Sequence, residues 1–282
     1  MDSFVVFWQH LPGHIRPYLF EIGSFQLRYY SLMYLVAFLS TYLLVSRRIK
    51  TEHFSYSTET IQHVCIWIIS GLIIGGRLGY VLFYNLEYYL HHPLEIILPF
   101  SMNGGMHFTG ISGMSYHGGA AGVVAAAFLF CRRNRVDFWN LTELFSPAVP
   151  LGYTFGRIGN FINGELYGRV TTVPWGMYFP LDPTNQLRHP SQLYEAFFEG
   201  IVLFAVLWIL RKRRPFDGYM LSLYIIGYGL VRFFIEFFRE PDEQLGFVMG
   251  PFSMGQLLCL LMVLGGIAIY WFRKAKPVSR RV

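Results

Sequence analysis

The chain has 282 residues, of which 54% are hydrophobic and only 14% are charged, with a formal net charge of +6. Soluble domains carry about a quarter charged residues, so this composition excludes an ordinary soluble protein as well as a disordered chain. The apolar residues lie in long blocks, a pattern typical of a protein that crosses a membrane several times.

Seven apolar blocks are candidates for membrane-spanning helices. Their approximate bounds are 29–46, 62–84, 118–130, 144–162, 191–210, 219–238 and 254–272. The third block is short, but it reaches the length of a span if its helix starts near Ser112. We therefore predict an all-α integral membrane protein with about seven transmembrane helices.

Basic residues indicate the orientation, because Lys and Arg near span ends stay preferentially in the cytoplasm. Every second connection is basic, at 47–50, 132–135, 211–214 and 273–281. This pattern places the N-terminus outside and the C-terminus in the cytoplasm. We expect one polytopic membrane domain over residues 1–282, with outer-face caps formed by about 1–28, 85–112 and 163–190.

The basic residues outside these clusters are all arginines. They are Arg16, Arg28, Arg77, Arg157, Arg169, Arg188, Arg232 and Arg239. An arginine near mid-membrane costs at least ~2.5 kcal/mol on insertion scales, so Arg77, Arg157 and Arg232 must face a partner or a wet cavity. Guanidinium groups bind phosphate in a bidentate manner, which favours a phospholipid headgroup as the ligand. Simple pairing with internal glutamates is the alternative.

The sixth block carries a polar stripe within the sequence IIGYGLVRFFIEFFREP. Tyr228, Arg232 and Glu236 recur every four residues and therefore share one helix face. Glu236 can pair with Arg232 or orient it, and Arg239 extends the stripe to the outer end of the helix.

The fourth block ends in TFGRIGNFINGELYGRV, where Arg157 and Asn160 lie one turn apart and Glu165 follows. Four glycines punctuate this segment: Gly156, Gly159, Gly164 and Gly168. They permit either close helix packing or a broken helix end whose freed backbone groups line a polar cavity.

Two histidines lie at the starts of predicted spans. His117 precedes two glycines and could take a proton from an incoming nucleophile, although a structural, hydrogen-bonded histidine is the alternative. His189 lies just outside the fifth span, where Pro190 and Ser191 indicate a helix start. Glu195 follows with another glutamate one turn later.

The three cysteines, Cys65, Cys131 and Cys259, are scattered through apolar blocks without the spacing of a disulfide framework or a metal site. We interpret them as small buried hydrophobic residues. Because no histidine or carboxylate set has ligand spacing, we expect neither a metal nor a cofactor. The basic residues follow span ends rather than a soluble face, so nucleic acid is not an expected partner.

Six motifs, in order over most of the chain, resemble those of the bacterial phosphatidylglycerol:prolipoprotein diacylglyceryl transferases. They are YYSLMY from Tyr29, GGRLGYVLFYN from Gly75, HGGAAG from His117, GRIGNFINGELYGR from Gly156, RHPSQLYE from Arg188 and GYGLVRFFIEFFREPD from Gly227. The resemblance implies an enzyme of the bacterial inner membrane that moves diacylglycerol from phosphatidylglycerol to the lipobox cysteine of a preprolipoprotein. A thioether forms and glycerol phosphate is released.

The resemblance also implies which residues act, with the nucleophile on the substrate and the active site toward the outer side. We assign His117, Arg157 and Arg232 as catalytic. The predicted substrate-binding residues are Tyr30, Asn160, Glu165, Gly168, Arg169, His189, Tyr228, Glu236 and Arg239. We expect Glu165 and Glu236 to orient the arginines. We expect His117 to act either as a general base toward the thiol or as a headgroup ligand. The principal alternative function is a phospholipid or anion transporter that uses the same arginines.

Overall fold

The computed structural model describes residues 3–22, 25–52, 54–98, 100–101, 107–108, 113–240, 247–249 and 252–276. The described chain is mostly helical. The α-helices, in chain order, are α1 Ser3–Gln9, α2 Leu11–His14, α3 Tyr29–Thr51, α4 Thr58–Tyr84, α5 Leu86–His91, α6 Tyr116–Asn134, α7 Phe138–Phe145, α8 Val149–Asn163, α9 Ser191–Glu195, α10 Leu203–Leu210, α11 Tyr219–Ile235 and α12 Met254–Lys274. A π-helical segment, Ala196–Val202, joins α9 to α10, and a 3-10 helix covers Pro93–Ile96.

The described chain also contains three short antiparallel strand pairs. They are β1 Tyr18–Ile22 with β2 Phe25–Arg28, β3 Phe100–Ser101 with β4 His107–Phe108, and β5 Phe247–Met249 with β6 Phe252–Ser253. The strands are too short to form a sheet core, so the prediction of an all-α protein is confirmed.

Four helices of the described chain are long and apolar enough to cross a membrane: Tyr29–Thr51, Thr58–Tyr84, Ser191–Leu210 and Met254–Lys274. A shorter apolar helix covers Tyr219–Ile235. Six of the seven predicted spans coincide with helical segments, whereas the fourth, 144–162, is interrupted between α7 and α8. Among the described residues, only these four helices have the length and composition of a span. The count of seven therefore stays a prediction.

Several predicted helix boundaries have a local cause. The hydroxyls of Ser57, Ser115 and Ser253 accept backbone N–H groups at the starts of α4, α6 and α12, which satisfies donors that the helix leaves free. α9 begins at Ser191 as predicted, but the Ser191 hydroxyl donates instead to the backbone carbonyl of Leu166, at 3.0 Å. That serine therefore joins two motifs rather than capping its helix.

The chain divides into two compact units, and the first comprises Met1–His53 and Thr142–Val282. In this unit α3 packs on α8 and α11 packs on α12. Gly159 of α8 lies so close to α3 that an added Cβ would sit 3.2 Å from the Tyr30 ring. A second group of contacts joins the N-terminal helices to the loop before α9, where Trp8 Nε1 donates to the carbonyl of Trp175 at 3.0 Å.

The second unit, Phe54–Leu141, is dominated by the packing of α4 on α6. Glycines four residues apart face each other across this pair. A Cβ on Gly75 would lie 2.4 Å from the carbonyl oxygen of Gly118, and one on Gly122 would lie 2.1 Å from that of Gly71. Only glycine allows the two backbones to approach this closely, as is common between helices in a membrane. The prediction of a single polytopic domain with three caps stays a prediction.

Candidate active site

The described part of the first unit gathers three arginines and three glutamates from α8, the segment Ser191–Val202 and the end of α11. We call this group the arginine–glutamate cluster; its members are Arg157, Glu195, Glu199, Arg232, Glu236 and Arg239. If all six side chains are ionised, their charges balance. Arg157 and Arg232 therefore have internal glutamate partners, as the alternative interpretation of the sequence predicted.

Glu195 lies at the centre of the cluster. Its Oε2 atom lies 2.8 Å from Arg157 Nε and 2.8 Å from Arg232 Nη1. The Glu195 side chain is fully buried, whereas those of Arg157 and Arg232 keep 14% and 11% of their surface exposed. One buried carboxylate thus holds two guanidinium groups together and offsets their mutual repulsion, while both remain partly accessible.

The polar stripe predicted on α11 is present. Arg232 Nη2 lies 3.3 Å from Glu236 Oε2, and Arg239 Nη1 lies 3.7 Å from the same oxygen. Arg239 also reaches Glu195, with 3.7 Å between Nε and Oε1. The predicted pairing of Glu236 with Arg232 is therefore confirmed, and Arg239 extends the stripe as expected.

The contribution of Glu195, Glu199 and Tyr153 was not predicted from the sequence. The Tyr153 hydroxyl accepts a hydrogen bond from Arg157 Nε at 2.7 Å and donates one to Glu199. Two signals were present: Tyr153 precedes Arg157 by one helical turn, and the two glutamates are four residues apart. Neither signal identifies the partner helix, because side-chain spacing reports only which residues share a face.

Asn160 links α8 to the turn that follows it. Gly164 ends the helix in the left-handed region, at φ +70°, and the chain reverses so that Asn160 Nδ2 donates to Glu165 Oε1 at 2.8 Å. Asn160 Oδ1 accepts from Arg157 Nη1 at 3.4 Å. We expected Glu165 to orient an arginine, but in the described chain its carboxylate contacts amide groups, and Glu195 contacts Arg157 instead.

Tyr30, predicted to bind substrate, lies at the first turn of α3. Its hydroxyl donates to the Tyr34 hydroxyl at 3.1 Å, and the two rings pack with centroids 4.9 Å apart. The Asn160 side chain also interacts with the Tyr30 hydroxyl. Tyr228, on α11, packs edge-on against Tyr153, with ring centroids 5.7 Å apart. The structure thus brings both predicted tyrosines next to members of the site.

Gly168, Arg169 and His189 lie in short extended segments that pair with one another and with Arg239. A Cβ on Gly168 would lie 2.3 Å from the carbonyl oxygen of Phe238, so this glycine allows close packing of three segments. Arg169 Nε donates to the carbonyl oxygen of Arg239 at 2.6 Å. These contacts give Gly168 and Arg169 a role in shaping the site.

His189 contacts Tyr194 through a hydrogen bond of 3.1 Å between Nδ1 and the hydroxyl, and its ring packs on Phe238. Burial lowers the pKa of His189, which favours the neutral ring at neutral pH. Tyr194 in turn accepts from Trp175 Nε1 at 2.8 Å. This hydrogen-bonded row connects the loop before α9 to the edge of the site.

Arg188 and Asp182 anchor the same loop. Arg188 forms two hydrogen bonds to the Asp182 carboxylate, at 2.8 and 3.1 Å, and a third to Glu240 at 2.9 Å. Burial alone would raise the pKa of Asp182, but hydrogen bonds from Arg188 and Thr184 lower it to about 2. The carboxylate is therefore ionised and paired at any physiological pH.

A cavity of about 310 Å³ opens beside the cluster. Its lining residues are Glu165, Leu166, Tyr167, Leu181, Arg239 and Glu240. Leu166 and Leu181 are exposed, at 46% and 62%, next to the charged groups. The cavity thus combines the guanidinium of Arg239 and two carboxylates with an apolar wall.

His117 and Arg77 belong to the second unit. His117 is exposed in the first turn of α6, between the capping Ser115 and the glycines that pack on α4. Arg77 donates to backbone carbonyl oxygens, including that of Ile96 at 2.9 Å, and its guanidinium lies 4.9 Å from the Tyr89 ring centroid. Arg77 therefore has partners within the protein, as expected for an arginine in an apolar segment.

Comparison with known proteins identifies relatives over the whole chain. A family profile described as prolipoprotein diacylglyceryl transferase matches residues 17–272. A phosphatidylglycerol–prolipoprotein diacylglyceryl transferase of Chlorobaculum tepidum is 54% identical, and the alignment covers 100% of this chain and 98% of that protein. Enzymes of the same name from Wolinella succinogenes and Geobacter sulfurreducens are each 45% identical over 95% of this chain and 97% of the relative. The chain therefore belongs to the prolipoprotein diacylglyceryl transferase family.

Proposed function

We propose that this protein is a phosphatidylglycerol–prolipoprotein diacylglyceryl transferase. Identity of 45 to 54% over nearly the full length to enzymes of that name supports the assignment. The observation that carries it in the structure is the pair of partly exposed guanidiniums, Arg157 and Arg232, held on one buried carboxylate oxygen of Glu195. We do not retain the transporter hypothesis, because the relatives are named as transferases.

The reaction replaces the phosphate oxygen by a sulfur atom on one carbon of the lipid, the diacylglycerol carbon that is bonded to the phosphate. The thiolate of the lipobox cysteine attacks that carbon, the carbon–oxygen bond breaks, and glycerol phosphate departs with the bonding electrons. The thiol proton passes to a base before or during attack, because the thiolate is the nucleophile. A saturated carbon offers no carbonyl oxygen to stabilise, so the protein must act on the thiol and on the departing phosphate.

Arg157 and Arg232 bind the phosphate and stabilise the charge that develops on its leaving oxygen. Guanidinium groups fixed in advance provide this stabilisation without reorganising during the reaction. Glu236 orients Arg232 from the next helical turn, and Glu195 sets the separation of the two guanidiniums. Arg239, beside the cavity, is placed to attract an anionic headgroup.

The other assigned residues bind substrate or shape its site. Asn160 and Tyr30 add hydrogen-bonding groups next to Arg157, and Glu165 holds Asn160. The remaining substrate-binding assignments are Gly168, Arg169, His189 and Tyr228. His117 serves either as the base for the thiol or as a headgroup ligand.

The protein resides in the bacterial inner membrane as a multi-pass protein with the active site toward the outer side. The basic clusters after 46, 131, 210 and 272 support seven spans with the N-terminus outside and the C-terminus cytoplasmic. Residues 1–282 form one polytopic domain with outer caps at about 1–28, 85–112 and 163–190. Its partners are phosphatidylglycerol, the lipobox segment and membrane lipid, and not nucleic acid.

The decisive test is transfer by purified protein in vesicles that contain phosphatidylglycerol, with a synthetic lipobox peptide as acceptor. We expect the peptide to gain the mass of one diacylglyceryl group, and a peptide with serine in place of cysteine to gain none. Arg232→Ala and His117→Ala should both abolish the gain. Folded wild-type protein that modifies no peptide with any anionic lipid would refute the assignment.

A further inference from the structure

The Tyr153 hydroxyl contacts three members of the arginine–glutamate cluster, although Tyr153 was not among the predicted site residues. Its hydroxyl accepts from Arg157 Nε at 2.7 Å, donates to Glu199 Oε2, and lies 3.2 Å from Glu195 Oε2. Its ring centroid lies 4.9 Å from the guanidinium carbon of Arg157. One neutral side chain therefore touches a phosphate-binding arginine and two buried carboxylates.

The hydroxyl fixes the direction in which Arg157 points. A guanidinium has five N–H donors in a rigid plane, so a hydrogen bond at Nε together with packing on a ring determines where the other nitrogens lie. In the described chain, Nε of Arg157 faces Tyr153 and Glu195, while Nη1 faces Asn160. Nη1 makes only this contact of 3.4 Å, and Nη2 has no hydrogen-bond acceptor among the described residues, so Nη2 is left for a ligand.

The Tyr153 hydroxyl also donates a hydrogen bond to the Glu199 carboxylate. The Glu199 side chain is fully buried, and the Tyr153 hydroxyl donates to its Oε2 atom. Its Oε1 atom lies 3.6 Å from Arg232 Nη1 and has no hydrogen-bond donor in the described chain. Without the hydroxyl, a buried carboxylate with too few donors would be drawn toward Arg157. Such a contact would compete with the phosphate for the guanidinium.

We infer that Tyr153 is a positioning residue for the transfer reaction, which holds Arg157 toward the phosphate and keeps Glu199 away from it. The inference rests on the proposed function, because it assumes that Arg157 binds the phosphate of the lipid. It predicts that removal of the hydroxyl lowers kcat/KM for phosphatidylglycerol and leaves KM for the peptide unchanged. It also predicts that the effect depends on the charge of Glu199.

The test compares four full-length proteins in the vesicle assay: wild type, Tyr153→Phe, Glu199→Gln and the double variant. Tyr153→Phe retains the ring and its packing. It should lower kcat/KM for phosphatidylglycerol by about tenfold or more, the size expected when a charged group loses a hydrogen bond, and leave KM for the peptide unchanged. The double variant should regain activity relative to Tyr153→Phe, because an amide does not compete for Arg157.

Tyr270→Phe is the matched control, since Tyr270 packs on Phe216 at the far end of α12 and should tolerate the change. Thermal melting of each protein, with and without phosphatidylglycerol, separates folding from lipid binding, and Tyr153→Phe should show a smaller lipid-induced shift. A folded Tyr153→Phe with wild-type kcat/KM would overturn the inference, as would a double variant whose losses simply multiply. An inactive wild type would instead refute the proposed function.

Discussion

The fork-shaped guanidinium of Arg232 lies near three carboxylates, those of Glu195, Glu199 and Glu236, and this geometry determines which side chain can replace it. Nη1 lies 2.8 Å from Glu195 and Nη2 lies 3.3 Å from Glu236, while the side chain stays partly exposed, as the proposed phosphate contact requires. A lysine ammonium is a point charge without the planar fork. We therefore expect Arg232→Lys to reduce kcat/KM for phosphatidylglycerol by at least about tenfold.

The matched control for this change is Arg16→Lys, because Arg16 is exposed and outside the site. It should keep wild-type activity in the same transfer assay, measured by the mass of the peptide. Near-normal turnover by Arg232→Lys would eliminate bidentate phosphate binding at this position. Loss of activity in both variants would indicate a general effect of the substitution and contradict a specific role for Arg232.

At the scale of elements, the loop between α8 and α9 is held to the site by charge as well as by packing. The core of this region consists of Phe161, Met177 and Phe179, and the Arg188–Asp182 pair adds a buried ionic anchor. Removing one partner of such a pair leaves an uncompensated buried charge. Asp182→Asn should therefore lower the melting temperature at pH 7 and increase proteolytic cleavage within the loop.

The destabilisation caused by Asp182→Asn should decrease as the pH falls. Asp182 has a lowered pKa of about 2 in the folded protein, against an unperturbed value of about 3.9. Its stabilising contribution is complete above about pH 4 and disappears as pH falls toward 2. The difference in melting temperature between wild type and Asp182→Asn should shrink over that interval. Glu240→Gln, which removes the half-exposed partner of Arg188, should have a smaller effect at every pH.

At the scale of the whole molecule, the sequence shows which polar residues lie within apolar segments but not how those residues pair across helices. Helical periodicity predicted the stripe of Arg232 and Glu236, since both lie on one element. It could not predict that Glu195 joins Arg157 to Arg232, because that contact depends on how three helices pack. Likewise, the sequence indicated that the glycines of the fourth block could allow close packing, and the structure shows that Gly159 lies against Tyr30 of α3 whereas Gly156 has open space around it.

The proposed chemistry predicts that the cysteines of this chain are not required for activity. The nucleophile in the proposed reaction belongs to the substrate peptide, so no cysteine of this chain is needed. Cys131 and Cys259 are buried and Cys65 is partly buried, as expected for small packing residues. A protein with all three changed to alanine should retain transfer activity within about threefold, with a melting temperature lowered only by the cavities created.

This cysteine-free protein also tests the proposed topology. Single cysteines placed in the basic connections, at Lys50 or Lys212, should react with a membrane-impermeant thiol reagent only after the membrane is opened. A cysteine that replaces Arg16 should react in cells whose inner membrane is intact, once the reagent has access to its outer face, because the N-terminus is predicted to lie outside. Labelling of Lys212→Cys in cells with an intact inner membrane would contradict the orientation. Loss of transfer in a folded cysteine-free protein would contradict a nucleophile on the substrate.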